Sequence, residues 1–195
     1  MSKKLSLERD FTRFLNDPTF PYKVTVCIGD ERILCSGVLL AQQSSVLENK
    51  FREDDGVLIF EEMMEGENRN EILHECIRYL HGKNLAFTSE DIAFFLKFSS
   101  LYKIKELFDE CMRWFKWNLM SSKSVRDVVK FLKLSDCLDS NDSAQLKSVI
   151  ELFISLNKEV VGNEICEFLD SEISGYDIAL ILGQKPSGCG DILKR

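Results

Sequence analysis

Histidine and cysteine are the side chains here with the chemistry to hold a metal or to act as a nucleophile with its base. The sequence carries 2 histidines, His74 and His81, and 7 cysteines, Cys27, Cys35, Cys76, Cys111, Cys137, Cys166 and Cys189. His74, Cys76 and His81 lie close together in the chain. A zincin helix needs His-Glu-x-x-His, which puts two imidazoles one turn apart on one face; here Arg78 fills the second histidine position and brings a positive charge instead of a ligand. No two cysteines stand in a Cys-x-x-Cys pair, so zinc-knuckle spacing is absent too. There is no phosphate-cradling G-x-x-x-x-G-K-S/T loop, no dinucleotide G-x-G-x-x-G turn and no G-x-S-x-G nucleophile elbow. Cysteine–histidine catalysis needs no adjacency in sequence, but nothing in the spacing favours it. The expectation is a protein with no metal, no cofactor and no enzymatic activity.

The bulk properties narrow the remaining classes. A chain of 195 residues and 22.5 kDa holds one large domain or two small ones and can bury a core without staples. Its net charge of -7 and pI near 5.0 argue against direct nucleic-acid binding, which needs a basic face, and against anionic membranes. The odd number of cysteines, several inside apolar runs such as Val26-Cys27-Ile28, reads as small buried hydrophobes in a reducing compartment. Met-Ser-Lys-Lys-Leu-Ser is followed by no apolar stretch of the signal-peptide kind, and no apolar run reaches the roughly 20 residues of a membrane span. The cytoplasm or nucleus is the expected location.

The elements that must position any site emerge from periodicity. Leu7, Phe11, Phe14 and Leu15 make one stripe of a short helix over 5–16, stopped at Asn16-Asp17-Pro18. Residues 23–28 are rich in β-branched side chains and read as a strand; Gly29-Asp30-Glu31 turns the chain into a second strand at 32–35, forming a hairpin. A helix is predicted over 37–50 and a third strand over 57–60, separated by Asp54-Asp55-Gly56. An acidic loop over 61–71 precedes a helix carrying Ile72, Leu73, Cys76, Ile77 and Leu80. Thr88-Ser89-Glu90-Asp91 reads as an N-cap region for a helix with Ile92, Phe95, Leu96 and Phe98, and a further helix covers about 103–118. Trp114 and Trp117 near its end read as packing residues. From Ser121 the pattern is helical only: Ser124 caps a helix through Leu134, the run Asp139–Ser143 breaks it, another helix holds Leu146 to Ile154, and two short ones come after it at 158–169 and 174–182. The tail from Gly183 is Gly-rich and linker-like, and no repeat with a period of 20–50 residues occurs.

This order of segments resembles the BTB/POZ family. Val24-Thr25-Val26-Cys27-Ile28-Gly29, then Ile33, then Val38-Leu39-Leu40-Ala41-Gln42-Gln43-Ser44-Ser45-Val46-Leu47 is similar to the family's strand, turn, strand and "VLAA-x-S" helix. Ile77-Arg78-Tyr79-Leu80-His81-Gly82 resembles its "LxYLYTG" helix end, and Phe95 through Leu107 its "LLxLADxYQLxEL" segment. The resemblance implies an α+β BTB/POZ-like domain over 1–120, a small sheet with helices. Residues 121–182 resemble the start of an all-α BACK extension of Kelch-type BTB proteins, and 183–195 form a tail or linker. Lys23, Ser36 and Gly37 stand where the family usually has Asp, His, and Lys or Arg, so the family's charged pocket near the dimer interface lacks both signs here.

What the resemblance implies for function is a protein-interaction module whose partners are a second copy of itself and the cullin three scaffold of a ubiquitin ligase, together with a substrate or regulator it does not identify. The alternative it leaves open is an oligomerisation module of a transcription or chromatin regulator that binds no cullin. Leu7, Phe11, Phe14, Leu15 and Val24 are the implied dimer-interface residues. Phe51, Glu53 and Tyr102 are the implied cullin contacts, since Phe51-Arg52-Glu53 matches the family's hydrophobic-x-Glu motif; in an ungapped register Phe51 is instead the core residue ending its helix, and Tyr102 a half-buried tyrosine at a helix junction. The 121–138 helix pair takes the place of the family's three-box, which widens the cullin contact, or else merely caps the domain.

Overall fold

The structure is a computed structural model whose description covers residues 11–17, 19, 22–60, 63, 69–122 and 125–157. The chain divides into two compact units, Met1–Phe108 and Asp109–Arg195.

The first unit is built on a three-stranded sheet. Strands β1 (Lys23–Ile28) and β2 (Glu31–Ser36) pair antiparallel with Lys23 opposite Ser36 and Ile28 opposite Glu31. The two-residue turn between them needs Gly29, whose φ is +58°, a left-handed conformation open to glycine at no steric cost. Strand β3 (Val57–Ile59) returns parallel to β1, with Val26 opposite Leu58, so the order is β2-β1-β3 and β1 is central. Alternation along β1 sends Val24, Val26 and Ile28 into the core.

The helix predicted over 37–50 is two helices, α1 (Gly37–Gln43) and α2 (Ser45–Glu53), broken at Ser44. Ser44 is extended, with φ −154° and ψ 118°. Its hydroxyl accepts the Leu47 N–H at 3.0 Å, capping α2, and donates to the Tyr102 carbonyl, so a contact remote in sequence supports the break. The chain leaves α2 through Asp54-Asp55-Gly56, with Asp55 and Gly56 at φ 50° and 80°, and enters β3.

Helix α3 (Arg69–Leu80) begins three residues before the apolar stripe that predicts it, and apart from Met63 the 61–68 part of the acidic loop lies outside the described residues. Its buried residues Leu73, Cys76, Ile77 and Leu80 are those of the predicted stripe, and it packs on α1 and β1. Before α4 (Ile92–Leu101), Thr88 forms the turn: its hydroxyl accepts the Asp91 N–H at 3.1 Å and donates to the Asp91 carboxylate at 2.7 Å. Helix α4 is the most apolar element, with Ile92, Phe94, Phe95, Leu96 and Phe98 buried. Helix α5 (Lys105–Ser122) starts in this unit with Leu107 and Phe108 buried.

In the second unit, α5 continues and leads to α6 (Val125–Ser135) and α7 (Ser140–Leu156). The rings of Phe115 of α5 and Phe131 of α6 pack at a tilt of 47° with centroids 4.1 Å apart, and Leu146, Ile150, Phe153 and Ile154 bury one face of α7. The polar run Asp139–Ser143 is no extended break. Asp139 caps α7 by accepting the Asp142 N–H at 2.8 Å, and Ser140–Ser143 form its first turn, where short polar side chains suit unpaired N–H groups. Trp117 is 75% exposed, so the expectation that it packs under later helices is corrected: it sits on a face of α5 that no described residue covers. The Ser124 cap, the helices expected at 158–169 and 174–182, and the tail from Gly183 lie outside the described residues.

Candidate protein-interaction groove

The start of β1, the first turn of α1 and the last turns of α2 converge on a groove of about 500 Å³. Local chain geometry forces this convergence. Gly37 opens α1 directly after β2, and its N–H donates to the Tyr22 carbonyl at 2.8 Å, fastening α1 to the residue preceding β1. A Cβ at position 37 would lie 2.9 Å from Val24 Cγ2 and 3.1 Å from the Tyr22 carbonyl oxygen, so no side chain fits without displacing strand or helix. The Phe51 ring closes the same spot, 3.6 Å from where that Cβ would be. At the far end, Gly56 donates to the Phe51 carbonyl and accepts the Thr25 N–H, each at 2.7 Å, holding the end of α2 against β1.

The surface so formed is apolar with a charged rim. Val24, 2% exposed, forms the floor and Phe51 half-fills one wall, while Tyr22 and Val38 are 77% and 54% exposed. Large apolar side chains grouped around a concavity mark contact surfaces, whereas isolated ones do not. Arg52 and Glu48 form an ion pair along the rim at 2.5 Å, worth at most about 1 kcal/mol at so exposed a site. Lys23 is exposed at the mouth, where the resemblance leads one to expect an acid.

The candidate residues sort themselves differently from the sequence expectation. Val24, expected at a dimer interface, and Phe51, expected at a cullin contact, share the groove. Phe51 and Glu53 both belong to α2 rather than to a loop beyond it; Phe51 is half-buried, and Glu53 is exposed. Tyr102 stands apart and requires correction as a contact residue: it is 0% exposed, with its ring centroid 5.1 Å from that of Phe60 and 4.9 Å from that of Phe98. Lys50 Nζ lies 5.5 Å from its centroid, on the outer side of that aromatic cluster. Leu7 lies outside the described residues. Residues 5–10 of the expected helix lie outside the described residues; over the described part, Phe11, Phe14 and Leu15 are half-buried around a 3₁₀ turn, Thr12–Phe14, and Asn16, at φ 62°, turns the chain away. That segment is tied down by Phe11 N–H to the His81 carbonyl at 2.7 Å and by Asn16, which pairs with Leu34 through both its backbone N–H and its side-chain oxygen at 2.9 Å.

His74, Cys76 and His81 do not converge. His74 pairs with Glu31 at 2.8 Å, Cys76 is buried on the core face of α3, and His81 bonds to Ile77 and Ser36. Among the described residues no three His, Cys, Asp or Glu side chains group as metal ligands. Burial pushes the Cys35 thiol up to about 12, well away from a nucleophile's range. Among the described residues no helix is long and apolar enough to cross a membrane. The groove residues that motif reasoning missed are Tyr22, Val38 and Ala41; the sequence puts Val38 with Leu39 and Leu40 on the apolar side of the 37–50 helix, but it is 54% exposed while Gly37 and Leu40 are buried.

A three-stranded sheet with covering helices and an apolar groove between β1, α1 and α2 is what the described residues of this unit build. The BTB/POZ domain family model matches residues 15–119, and the chain belongs to that family. No curated protein matches it.

Proposed function

We propose that this chain is a self-associating adaptor module whose copies meet across the groove between β1, α1 and α2. The observation that carries this reading is the exposed pair Tyr22 and Val38 flanking a floor of Val24 and Phe51. A two-fold interface is self-complementary, and an apolar centre with a charged rim of Arg52 and Glu48 fits the anatomy of such contacts. Lys23 and Gly37 in place of the family's usual charged pair leave apolar contact as the main attraction. The module acts in the cytoplasm or nucleus, where a reducing environment suits its cysteines. Val38→Asp places an uncompensated charge at the centre of the proposed contact. It should leave the melting temperature within about 2 °C, because the side chain is exposed, while converting the dimer to monomer in sedimentation velocity runs. A variant that still sediments as a dimer refutes this assignment of the face.

A second reading is docking to the cullin three scaffold, as an adaptor of a ubiquitin ligase. It is favoured by Glu53, exposed two residues beyond the accessible edge of Phe51, and by the helices α6 and α7 that come after the matched domain in sequence. Titration calorimetry against the purified N-terminal domain of cullin three tests it: micromolar or tighter binding, weakened by Glu53→Ala, supports docking, and no heat at tens of micromolar moves the assignment to an oligomerisation module of a regulator. The extension as a BACK domain belongs to this second reading.

A further inference from the structure

His81 is the one histidine with no access to solvent, at 0% exposure, and it stands where three segments meet. Its backbone carbonyl accepts the Phe11 N–H from the N-terminal segment at 2.7 Å. Its Nδ1 lies 2.8 Å from the Ile77 carbonyl, one turn back on α3, and its Nε2 lies 3.2 Å from the Ser36 backbone nitrogen at the end of β2. These partners fix the protonation state. A carbonyl can only accept, so Nδ1 carries the hydrogen; a backbone N–H can only donate, so Nε2 must be bare. Both bonds are satisfied by the neutral imidazole with its proton on Nδ1, and by no other form. A second proton would go to Nε2 and set two N–H groups against each other.

Ser36 is more than an end of strand. Its hydroxyl accepts the Leu39 N–H at 3.4 Å as the N-cap of α1, and the next residue, Gly37, forms part of the groove wall.

We propose that His81 is a protonation-sensitive latch: as the neutral imidazole it locks the start of α1, at Ser36, to the end of α3, and acidification releases it.

The surroundings leave the added charge unpaired. Helix α1 has no titratable side chain. On the N-terminal segment, Arg13 is exposed and Asp17 is held by Thr19; on β2, Glu31 pairs with His74, Arg32 is exposed, and Cys35 is a buried neutral thiol. Around α3, Glu75 is engaged by Arg78 and Lys83 at the surface. Burial lowers the His81 pKa below its ordinary 6.5, opposed by the bond to Ile77, and among the described residues no ion pair offsets the cost. With the folded value depressed, the unfolded chain binds the proton more readily. The stability contributed is complete above about 6.5 and is lost as pH falls from there through the folded value.

The latch is independent of self-association and is tested on a different observable. With only two histidines in the chain, the nitrogen-15 spectrum of the imidazoles can be assigned with one variant, His74→Gln. At pH 7.5, His81 should show the Nδ1–H tautomer, and it should titrate below 6.5. Across that titration, Ser36 should lose amide-exchange protection at least tenfold more than amides of β1, while Phe11, held by the His81 backbone carbonyl, should not, in the parent chain and in His74→Gln alike. In His81→Gln this extra pH dependence should vanish. The Nε2–H tautomer at pH 7.5, a titration at or above 6.5, or unchanged protection of Ser36 through the titration would each overturn the proposal. The first two readouts need only the parent chain and His74→Gln and stand even if His81→Gln fails to fold. Dimerisation lost at pH 7.5 would count against the groove and not against the latch.

Discussion

Phe51 and Tyr102 both sit at the C-terminal end of a helix, α2 and α4 respectively, and their surroundings differ completely. Phe51 lies in the last turns of α2 over a glycine, partly buried, beside other accessible apolar side chains. Tyr102 comes directly after α4 and is enclosed by Phe60 and Phe98, with its own carbonyl accepting the Ser44 hydroxyl. The difference comes from the turn at the end of each helix. After α2, the Asp55 and Gly56 turn swings the chain into β3 at the sheet surface. After α4, Lys103 at φ 55° reverses the chain so that Ile104 N–H reaches the Ser99 carbonyl at 2.8 Å, folding Tyr102 inward. One aromatic is therefore available to a partner and the other holds the domain together, and mutation should separate the two roles.

The largest effect belongs to the enclosed ring. Tyr102→Ala removes a fully buried aromatic from a three-ring cluster and should cost about 3–5 kcal/mol in urea unfolding, with any loss of association secondary to it. Phe51→Ala should cost less, about 1–2 kcal/mol, because its ring is only partly buried; association should weaken in a protein that remains folded. A cost for Phe51→Ala equal to that of Tyr102→Ala would erase the distinction. Gly37→Ala sharpens it from the other side: the new Cβ would meet Val24 and the Tyr22 carbonyl oxygen, so a melt should show about 1–3 kcal/mol of destabilisation despite alanine's better helix propensity. Smallest is Glu53→Ala, an exposed carboxylate at the end of α2, which should change stability by no more than about 0.5 kcal/mol.

Much of this architecture was legible because local signals agreed with tertiary ones. The alternation along Val24, Val26 and Ile28 and the Gly29 turn give the hairpin and its register together, and the stripe of α3 names its buried residues. The break at Ser44 was not legible: Leu39 and Leu40 recur as Val46 and Leu47 seven residues on, a helical spacing that spans Gln42-Gln43-Ser44-Ser45, and the hydroxyl that caps α2 also depends on a carbonyl 58 residues away. Asp139–Ser143 misled in the opposite sense, since residues that suit a loop also suit the first turn of a helix. Of the groove, Val24 and Phe51 were named in sequence as belonging to different surfaces. Their meeting requires the absence of a side chain at Gly37, a fact about space rather than pattern. The enclosure of Tyr102 depends on Phe60, far from it in the chain, and no local periodicity reports that.

The central claim is that copies of this chain associate through the groove of β1, α1 and α2. The most direct test is light scattering coupled to size exclusion, run at tens of micromolar and pH 7.5 on the parent chain and on Val38→Asp. Association through the groove requires a mass near twice 22.5 kDa for the parent and near 22.5 kDa for the variant. A parent chain at 22.5 kDa under these conditions would contradict it.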